Sequence, residues 1–169
     1  MDTAGTYDFG DSSSYCFMVR TTFPSLPVVR SSDEKVVSVK FVKWIPGGCL
    51  FRINRLSQGT AAIITTLEYA GNISFLAKAG PAVRTDITEP FSLKKEASYT
   101  FKITSFSADD SVPQFMVGNG SVFQTQLVKQ SGRDYYFKIT AVGDSGQETG
   151  IYTKMPDQNA VRHCIVKIA

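Results

Sequence analysis

The sequence predicts an all-β chain of two tandem β-sandwich modules. Its 169 residues include twelve Phe and seven Tyr, together with many Val, Ile and Thr, a composition that favours strands. An apolar fraction of 43% is sufficient for hydrophobic cores. Apolar and polar residues alternate with a period of two, and the same segments recur in the same order in both halves. Short strands of this kind are typical of a sandwich, which needs no helices to cover a parallel sheet.

The alternation is clearest in Tyr99–Ile103 and Tyr135–Ile139, where every second residue is large and apolar. A half-buried antiparallel strand requires this pattern, because its successive side chains point to opposite faces. Turn signals that contain Gly separate the strands, as at Ile45–Gly48. Residues 61–70 also fit a helix, but the counterpart that begins at Gly150 is a poor helix former. We therefore predict strands for both segments.

The first half of the chain has a recognisable copy in the second half. Ser14–Thr21 corresponds to Ser98–Ser105, and Pro27–Ile53 aligns without a gap with Pro113–Ile139. Only six of these 27 aligned positions are identical, so the pattern of apolar and polar residues carries the argument. The chain therefore contains two copies of one module.

A short stretch that contains Gly80 and Pro81 separates the copies. We predict a first module at residues 1–80, a linker at residues 81–86 and a second module at residues 87–169. A linker this brief restricts how far the two modules reorient.

Two motifs carry a resemblance to a known family. Arg30–Val39 is followed about twenty residues later by Gln58–Thr65, and this order resembles bacterial immunoglobulin-like domains of group 2. In that family a Ser-Ser-Asn-like corner leads into a Val-rich strand, and a Gly-Thr-Ala pattern opens a later strand. The resemblance implies two tandem immunoglobulin-like β-sandwich modules. It is fainter in the second copy, where Gly118–Phe123 and Gly146–Ile151 occupy the corresponding places.

The resemblance also implies a cellular context. Such modules occur in tandem in secreted or surface-attached bacterial proteins, including adhesins and accessory regions of enzymes that degrade polysaccharides or cell walls. The residues after Met1 form neither the charged nor the apolar region of a signal peptide, which leaves either a cytosolic protein or a fragment. Because the resemblance implies export, we expect a fragment of a secreted or cell-surface protein.

The charge distribution argues against several classes of partner. The formal net charge is +3, from 18 basic and 15 acidic residues, and the basic residues are scattered along the sequence. A nucleic-acid-binding protein is expected to concentrate them, so we expect no nucleic-acid partner. No window of 18 consecutive apolar residues occurs, so we expect no membrane insertion.

Catalysis is not expected either. The single histidine, His163, is next to Cys164, and adjacent strand residues point to opposite faces, so we expect an edge-strand histidine without a chemical role. The acidic clusters Asp33–Glu34 and Asp109–Asp110 fall in predicted turns and lack the alternating ligands of a calcium loop. We therefore predict no enzyme, no cofactor and no metal site.

The cysteines are placed by the same alternation. Cys16 is expected to face outward and Cys49 inward, so a disulfide between them is not expected. Three cysteines at these spacings match neither a metal site nor a disulfide framework.

Three residues are candidates for binding. Trp44, the only tryptophan, precedes the predicted hairpin tip Ile45–Gly48, and an aromatic ring there is suited to stacking on a sugar or anchoring a protein. The alternative is that Trp44 packs onto its own sandwich or the neighbouring module. Tyr136 is expected to face outward, and Leu50 holds the same outward position in the first copy, which indicates a shared contact surface.

The leading hypothesis is a non-catalytic tandem immunoglobulin-like region that serves as a spacer and as an adhesion or protein-interaction module. The alternative is a carbohydrate- or cell-wall-binding module that targets a linked enzyme. The expected partners are accordingly a protein, or a cell-wall or other polysaccharide.

Overall fold

The computed structural model describes residues 1–21, 25–68, 70–108, 111–156 and 158–169. The regular structure of these residues consists of β-strands. The described residues form no helix that is long and apolar enough to cross a membrane. The first seven strands are β1 Thr6–Asp8, β2 Ser14–Arg20, β3 Val28–Ser31, β4 Val37–Ile45, β5 Gly48–Arg55, β6 Gly59–Leu67 and β7 Gly71–Ala79. The remaining strands are β8 Val83–Thr85, β9 Phe91–Leu93, β10 Ser98–Ser105, β11 Gln114–Val117, β12 Phe123–Ser131, β13 Asp134–Ala141, β14 Glu148–Lys154 and β15 Val161–Ile168.

The chain divides into two compact units. The first holds Met1–Ala82 and a short segment that begins at Phe106, and the second holds Val83–Ser105 and the part of the chain that ends at Ala169. The first unit has one sheet in the order β1-β7-β6-β3 and another in the order β2-β5-β4. The second unit has sheets in the orders β12-β13-β10-β8 and β11-β14-β15-β9.

The strand order of the second unit is that of an immunoglobulin domain. When β8 and β9 are taken as the two parts of strand A, and β10 to β15 as strands B to G, one sheet contains A, B, E and D. The other contains C, F and G, with β9 added parallel to β15. The first unit repeats this order, since β1 pairs in parallel with β7 and β2, β5 and β4 stand for B, E and D. The fold is an immunoglobulin-like β-sandwich, as the sequence predicts.

The two units agree in local detail as well. The amides of Val36 and Val37 both donate to the carbonyl of Asp33 at the corner before β4, and Asn119 accepts the same two bonds before β12. A β-bulge then interrupts the pairing of β4 after Phe41, and the corresponding bulge interrupts β12 after Leu127. Such bulges change the direction of side chains at defined positions. The repeat in the sequence is therefore also a repeat in hydrogen bonding.

Each unit has its own hydrophobic core between its two sheets. Aromatic and aliphatic side chains from both sheets are buried there, and each fully buried Phe or Ile stabilises the fold by about 1.5–3 kcal/mol. Fully buried members include Phe17, Val19, Val37, Ile53 and Ile63 in the first unit, and Phe101, Ile103, Phe123, Ile139 and Ile151 in the second unit.

One charged side chain is buried with the apolar core of the first unit. Arg55 is 1% exposed, and its Nη1 donates to the carbonyl of Gly10 at 2.9 Å. Its Nη2 donates to the carbonyl of Pro81, and its Cζ lies 5.0 Å from the ring centroid of Phe106. Arg55 therefore contacts three stretches of chain in the first unit that are distant from one another in the sequence.

The structure also settles the ambiguous segments. The helix-compatible residues 61–70 contain most of β6, so the strand prediction is confirmed, as it is for β14 in the second unit. Val83–Thr85, inside the predicted linker 81–86, forms β8 and pairs with β10. A strand of three residues is too short to show an alternation in the sequence, so the sequence alone predicts a linker there. The cluster Asp109–Asp110 lies outside the described residues.

Candidate functional site

His163, the only histidine in the sequence, is a partly buried residue of β15. β15 lies between β14 and β9, but β9 pairs only with Val166–Ile168, so the part of β15 that holds His163 is paired with β14 alone. Ile151 pairs with Cys164 and Tyr152 with Arg162, which leaves His163 as the extra residue of a bulge. Its Nε2 lies 2.6 Å from the Thr153 hydroxyl, and burial lowers the pKa of the ring.

The buried cysteines are also unsuited to nucleophilic chemistry. Burial raises the pKa of Cys164 to about 11 and also raises the pKa of Cys49, so both are thiols at neutral pH. All three cysteines are free, with Cys49 buried and Cys16 exposed as predicted. Among the described residues, no three His, Cys, Asp or Glu side chains are grouped closely enough to hold a metal ion.

Trp44 lies on β4 and faces the core side of its sheet. It pairs directly with Cys49, which is fully buried, and side chains of such a pair share one face. Its ring meets that of Phe41 edge to face at 6.1 Å, and half of the side chain remains exposed. The structure therefore gives the ring both a packing partner and a free edge.

The second unit shows what the packing of Trp44 replaces. Gln130 holds the position of Trp44 and pairs with Tyr135, which holds the position of Cys49. The Nε2 of Gln130 donates to the hydroxyl of Tyr135 at 3.3 Å. One unit thus pairs a large edge residue with a small core residue, and the other reverses the sizes. The residues at the two positions therefore differ as a pair between the units.

A cleft lies at the end of the first unit that carries the β4–β5 turn. Its volume is about 720 Å³, and its walls include Leu26, Val28 and Leu67 as well as Arg20, Glu68 and Gly47 of the β4–β5 turn. The side chains of Leu26 and Val28 are almost half exposed there. Residues at the ends of strands B, D and F contribute to its walls, and this end is the one that carries the binding loops in antibody variable domains.

Leu50 lies on the opposite face from Trp44, on the outer surface of the β2–β5–β4 sheet. It stands between Met18 of β2 and Lys43 of β4, and is partly exposed. The next row of the same face is Cys16, Arg52 and Lys40. Leu50 is therefore an apolar residue on a basic surface, and the structure does not bring it together with Trp44.

Tyr136 has the corresponding position in the second unit. It stands between Lys102 and Lys129. The Nζ of Lys129 lies 5.8 Å from the centre of the Tyr136 ring. Lys102 also forms an ion pair of 2.7 Å with Asp134. The hydrogen bond between them lowers the pKa of the carboxyl and raises the pKa of the ammonium group.

The sequence analysis missed this clustering of charge. Because the basic residues are scattered along the sequence, it found no basic surface. Pairing of β2, β5 and β4 brings Arg20, Lys40, Lys43 and Arg52 onto one face of the first unit. The signal that reveals it is the position of each basic residue within the alternation of its strand, combined with the register between strands.

Comparison with known proteins gives structural likeness at low sequence identity. Neither a protein-family model nor a curated protein sequence matches the chain. The crystal structure of the S-layer protein rSbsC is 18% identical, with a TM-score of 0.43, over 85% of this chain and 20% of that one. Domains 4 and 5 of the S-layer protein SbsC are 18% identical, with a TM-score of 0.41, over 85% of this chain and 76% of that one. The Escherichia coli adhesin FdeC is 12% identical, with a TM-score of 0.38, over 94% and 54%.

The chain thus spans about a fifth of the length of the S-layer protein rSbsC. The assignment of the fold rests on the strand order and pairing of the two units rather than on these scores.

Proposed function

We propose that the chain is a non-catalytic tandem immunoglobulin-like region of a secreted or cell-surface bacterial protein, and that it acts as a spacer and as an adhesion or protein-interaction module. The observation that carries the proposal is the duplication, which extends to the corner before β4 and β12 and to the bulge within them. A duplicated sandwich adds length and repeats a surface.

The chemistry of the reactive side chains supports a non-catalytic role. His163 is neutral, partly buried and in contact with Thr153, while Cys49 and Cys164 are protonated core residues. General-base and nucleophilic catalysis require such groups to face a cleft and each other.

The proposal includes membership of the group 2 immunoglobulin-like domains, with modules at residues 1–80 and 87–169. Its support is the place of the two motifs in the structure. The Arg30–Val39 corner leads into β4, and the Gly59-Thr60-Ala61 run opens β6. Both are the places that the resemblance implies.

The alternative function is a carbohydrate- or cell-wall-binding module that targets a linked enzyme. One observation favours it, namely that half of the Trp44 side chain is exposed at the end of the first unit that carries the cleft. An exposed tryptophan edge is suited to stacking on a sugar ring, and a cleft at the same end of the unit offers space for a ligand.

The test combines retention and turnover in one experiment. The protein is incubated with purified bacterial cell wall and with insoluble polysaccharides, and both bound protein and released soluble sugar are measured. Trp44→Ala is compared with Leu76→Ala, an exposed apolar residue on the other sheet, after circular dichroism shows that both variants are folded. The proposal predicts no sugar release above the blank.

Release of soluble sugar in proportion to the amount of protein contradicts the non-catalytic proposal. Retention that is lost in Trp44→Ala but kept in Leu76→Ala supports the targeting alternative. Absence of retention on every matrix leaves the spacer and protein-interaction function as the conclusion.

A further inference from the structure

The outer face of the β2–β5–β4 sheet is a basic surface, here called the basic face. Its charged members are the exposed residues Arg20, Lys40, Lys43 and Arg52. They are half of the eight basic residues in Met1–Ala82. A sequence with only a small net charge therefore concentrates positive charge on one side of one sheet.

The positive charge of the basic face is not balanced locally. None of the three strands contains Asp or Glu. Within the described part of the chain, none of the four basic side chains forms an ion pair, whereas Lys78 on the other sheet pairs with Asp8 at 3.5 Å. The face is thus free to take up an external anion.

The arrangement also opposes folding. Lys40 and Arg52 are direct cross-strand neighbours, and like charges at that spacing destabilise a sheet. Two of the positions are basic again in the second unit, where Lys129 corresponds to Lys43 and Lys138 to Arg52. The like-charge pair itself does not recur, because Gln126 faces Lys138 in the second unit. Basic residues at two equivalent outward positions nevertheless indicate a surface property that both units share.

We propose that the basic face binds an anionic polysaccharide. Met18 and Leu50, both partly exposed, form an apolar floor in the row that ends at Lys43. Rows on one face of a strand are about 7 Å apart and neighbouring strands about 5 Å apart, so the cations surround this floor at the scale of a sugar ring. A charged sugar chain offers both C–H faces for the floor and carboxylate or sulfate groups for the cations.

The same observations favour a glycan over other polyanions. The exposed part of the basic face has no aromatic ring on which bases could stack, and the pI of about 8.7 is below that of typical nucleic-acid-binding domains. An anionic membrane is bound by basic surfaces that also insert Trp, Phe or Leu, whereas Leu50 and Met18 are partly buried in the sheet. This inference rests on the proposed function as a binding module and names its partner.

The experiment measures equilibrium binding of the whole chain to polygalacturonate and dextran sulfate, with neutral dextran as the control polymer. The test variant is Lys40→Gln/Lys43→Gln/Arg52→Gln. The matched control is Arg30→Gln/Lys35→Gln/Lys78→Gln, which removes the same charge from exposed positions of the first unit outside the basic face. We expect the test variant to lose at least about tenfold in affinity and the control less than about threefold. Binding is expected to weaken as salt is added, since exposed charges are screened.

Three results overturn the inference. They are the absence of wild-type binding to both charged glycans, equal losses in the two variants, and binding confined to a single-stranded oligonucleotide or to vesicles that contain phosphatidylserine. None of them affects the non-catalytic proposal, which only the release of sugar contradicts.

Discussion

The exchange of sizes between Trp44–Cys49 and Gln130–Tyr135 leads to a quantitative prediction. If Trp44 fills the space that Tyr135 fills in the second unit, replacing both residues of the first pair together is much less damaging than the sum of the single replacements. The variants are Trp44→Gln, Cys49→Tyr and the double variant. Each carries the side chains of the second unit at the equivalent positions.

The structure sets the expected magnitudes. A fully buried aromatic side chain buries 150–250 Å², so the half of Trp44 that is buried contributes about 2–3 kcal/mol at 25 cal/mol per Å². Because glutamine recovers part of this, Trp44→Gln is expected to destabilise the first unit by about 1–2 kcal/mol. Cys49 is fully buried, so Cys49→Tyr alone overpacks the core and is expected to destabilise it by about 1–3 kcal/mol.

In the double variant, glutamine leaves room for the tyrosine ring and its amide reaches the new hydroxyl, as Gln130 reaches Tyr135 at 3.3 Å. We expect a favourable coupling energy of at least about 1 kcal/mol. The assay is urea denaturation followed by far-ultraviolet circular dichroism, because Trp44 is the only tryptophan and its removal changes the fluorescence itself. Additivity within about 0.5 kcal/mol would refute the packing role of Trp44. The converse exchange, Gln130→Trp with Tyr135→Cys, is the matched control in the second unit.

Three further predictions follow from buried polar groups. Burial lowers the folded-state pKa of His163, so the unfolded chain takes up a proton first as the pH falls, and stability is expected to decrease from about pH 6.5 down to the folded-state pKa. Urea midpoints at pH 7.5 and 5.0 for wild type and His163→Gln check this, and a ring pKa at or above 6.5 by NMR would disprove it. Cys16 is expected to react with a maleimide in the folded protein, whereas Cys49 and Cys164 react only in urea; fast labelling of all three without urea would show that the cores are open. Arg55→Met removes the donors to the carbonyls of Gly10 and Pro81 and is expected to destabilise the first unit by about 2–3 kcal/mol. A change in the free energy of unfolding below about 0.5 kcal/mol in the same urea assay argues against the burial of this side chain.

Much of the fold follows from local patterns in the sequence. The alternation in Tyr99–Ile103 and Tyr135–Ile139 identifies β10 and β13, and it places Tyr135 inside and Cys16 outside. The turn signal at Ile45–Gly48 identifies the hairpin between β4 and β5. These features can be predicted from the sequence because each depends on neighbouring residues within one strand or one turn.

The β-bulges, which break the alternation, could not be predicted from the sequence. The bulge after Phe41 inserts one residue, so Trp44 faces the core side although strict alternation from Phe41 sends it outward. The bulge at His163 likewise undoes the argument that adjacent residues point to opposite faces. Bulges depend on the partner strand, which is distant in the sequence.

The candidate site depends on the same long-range information. Leu50 and Tyr136 could be singled out from the repeat, because both copies keep a large residue at an outward position. The cations around Leu50 could not, since Arg20, Lys43 and Arg52 come from three strands whose register is fixed only by folding. A charge count along the sequence therefore misses a surface that the sheet assembles.

The most direct test of the account is an NMR titration of the ¹⁵N-labelled chain with oligosaccharides of galacturonic acid. The account predicts that the largest amide shift changes fall on the basic face, around Leu50, Arg52 and Lys40, while the core residues of both units stay unchanged. Shift changes centred on Thr153 and His163, or on the cleft lined by Leu26 and Leu67, would contradict it, because they would place the sugar away from the basic face.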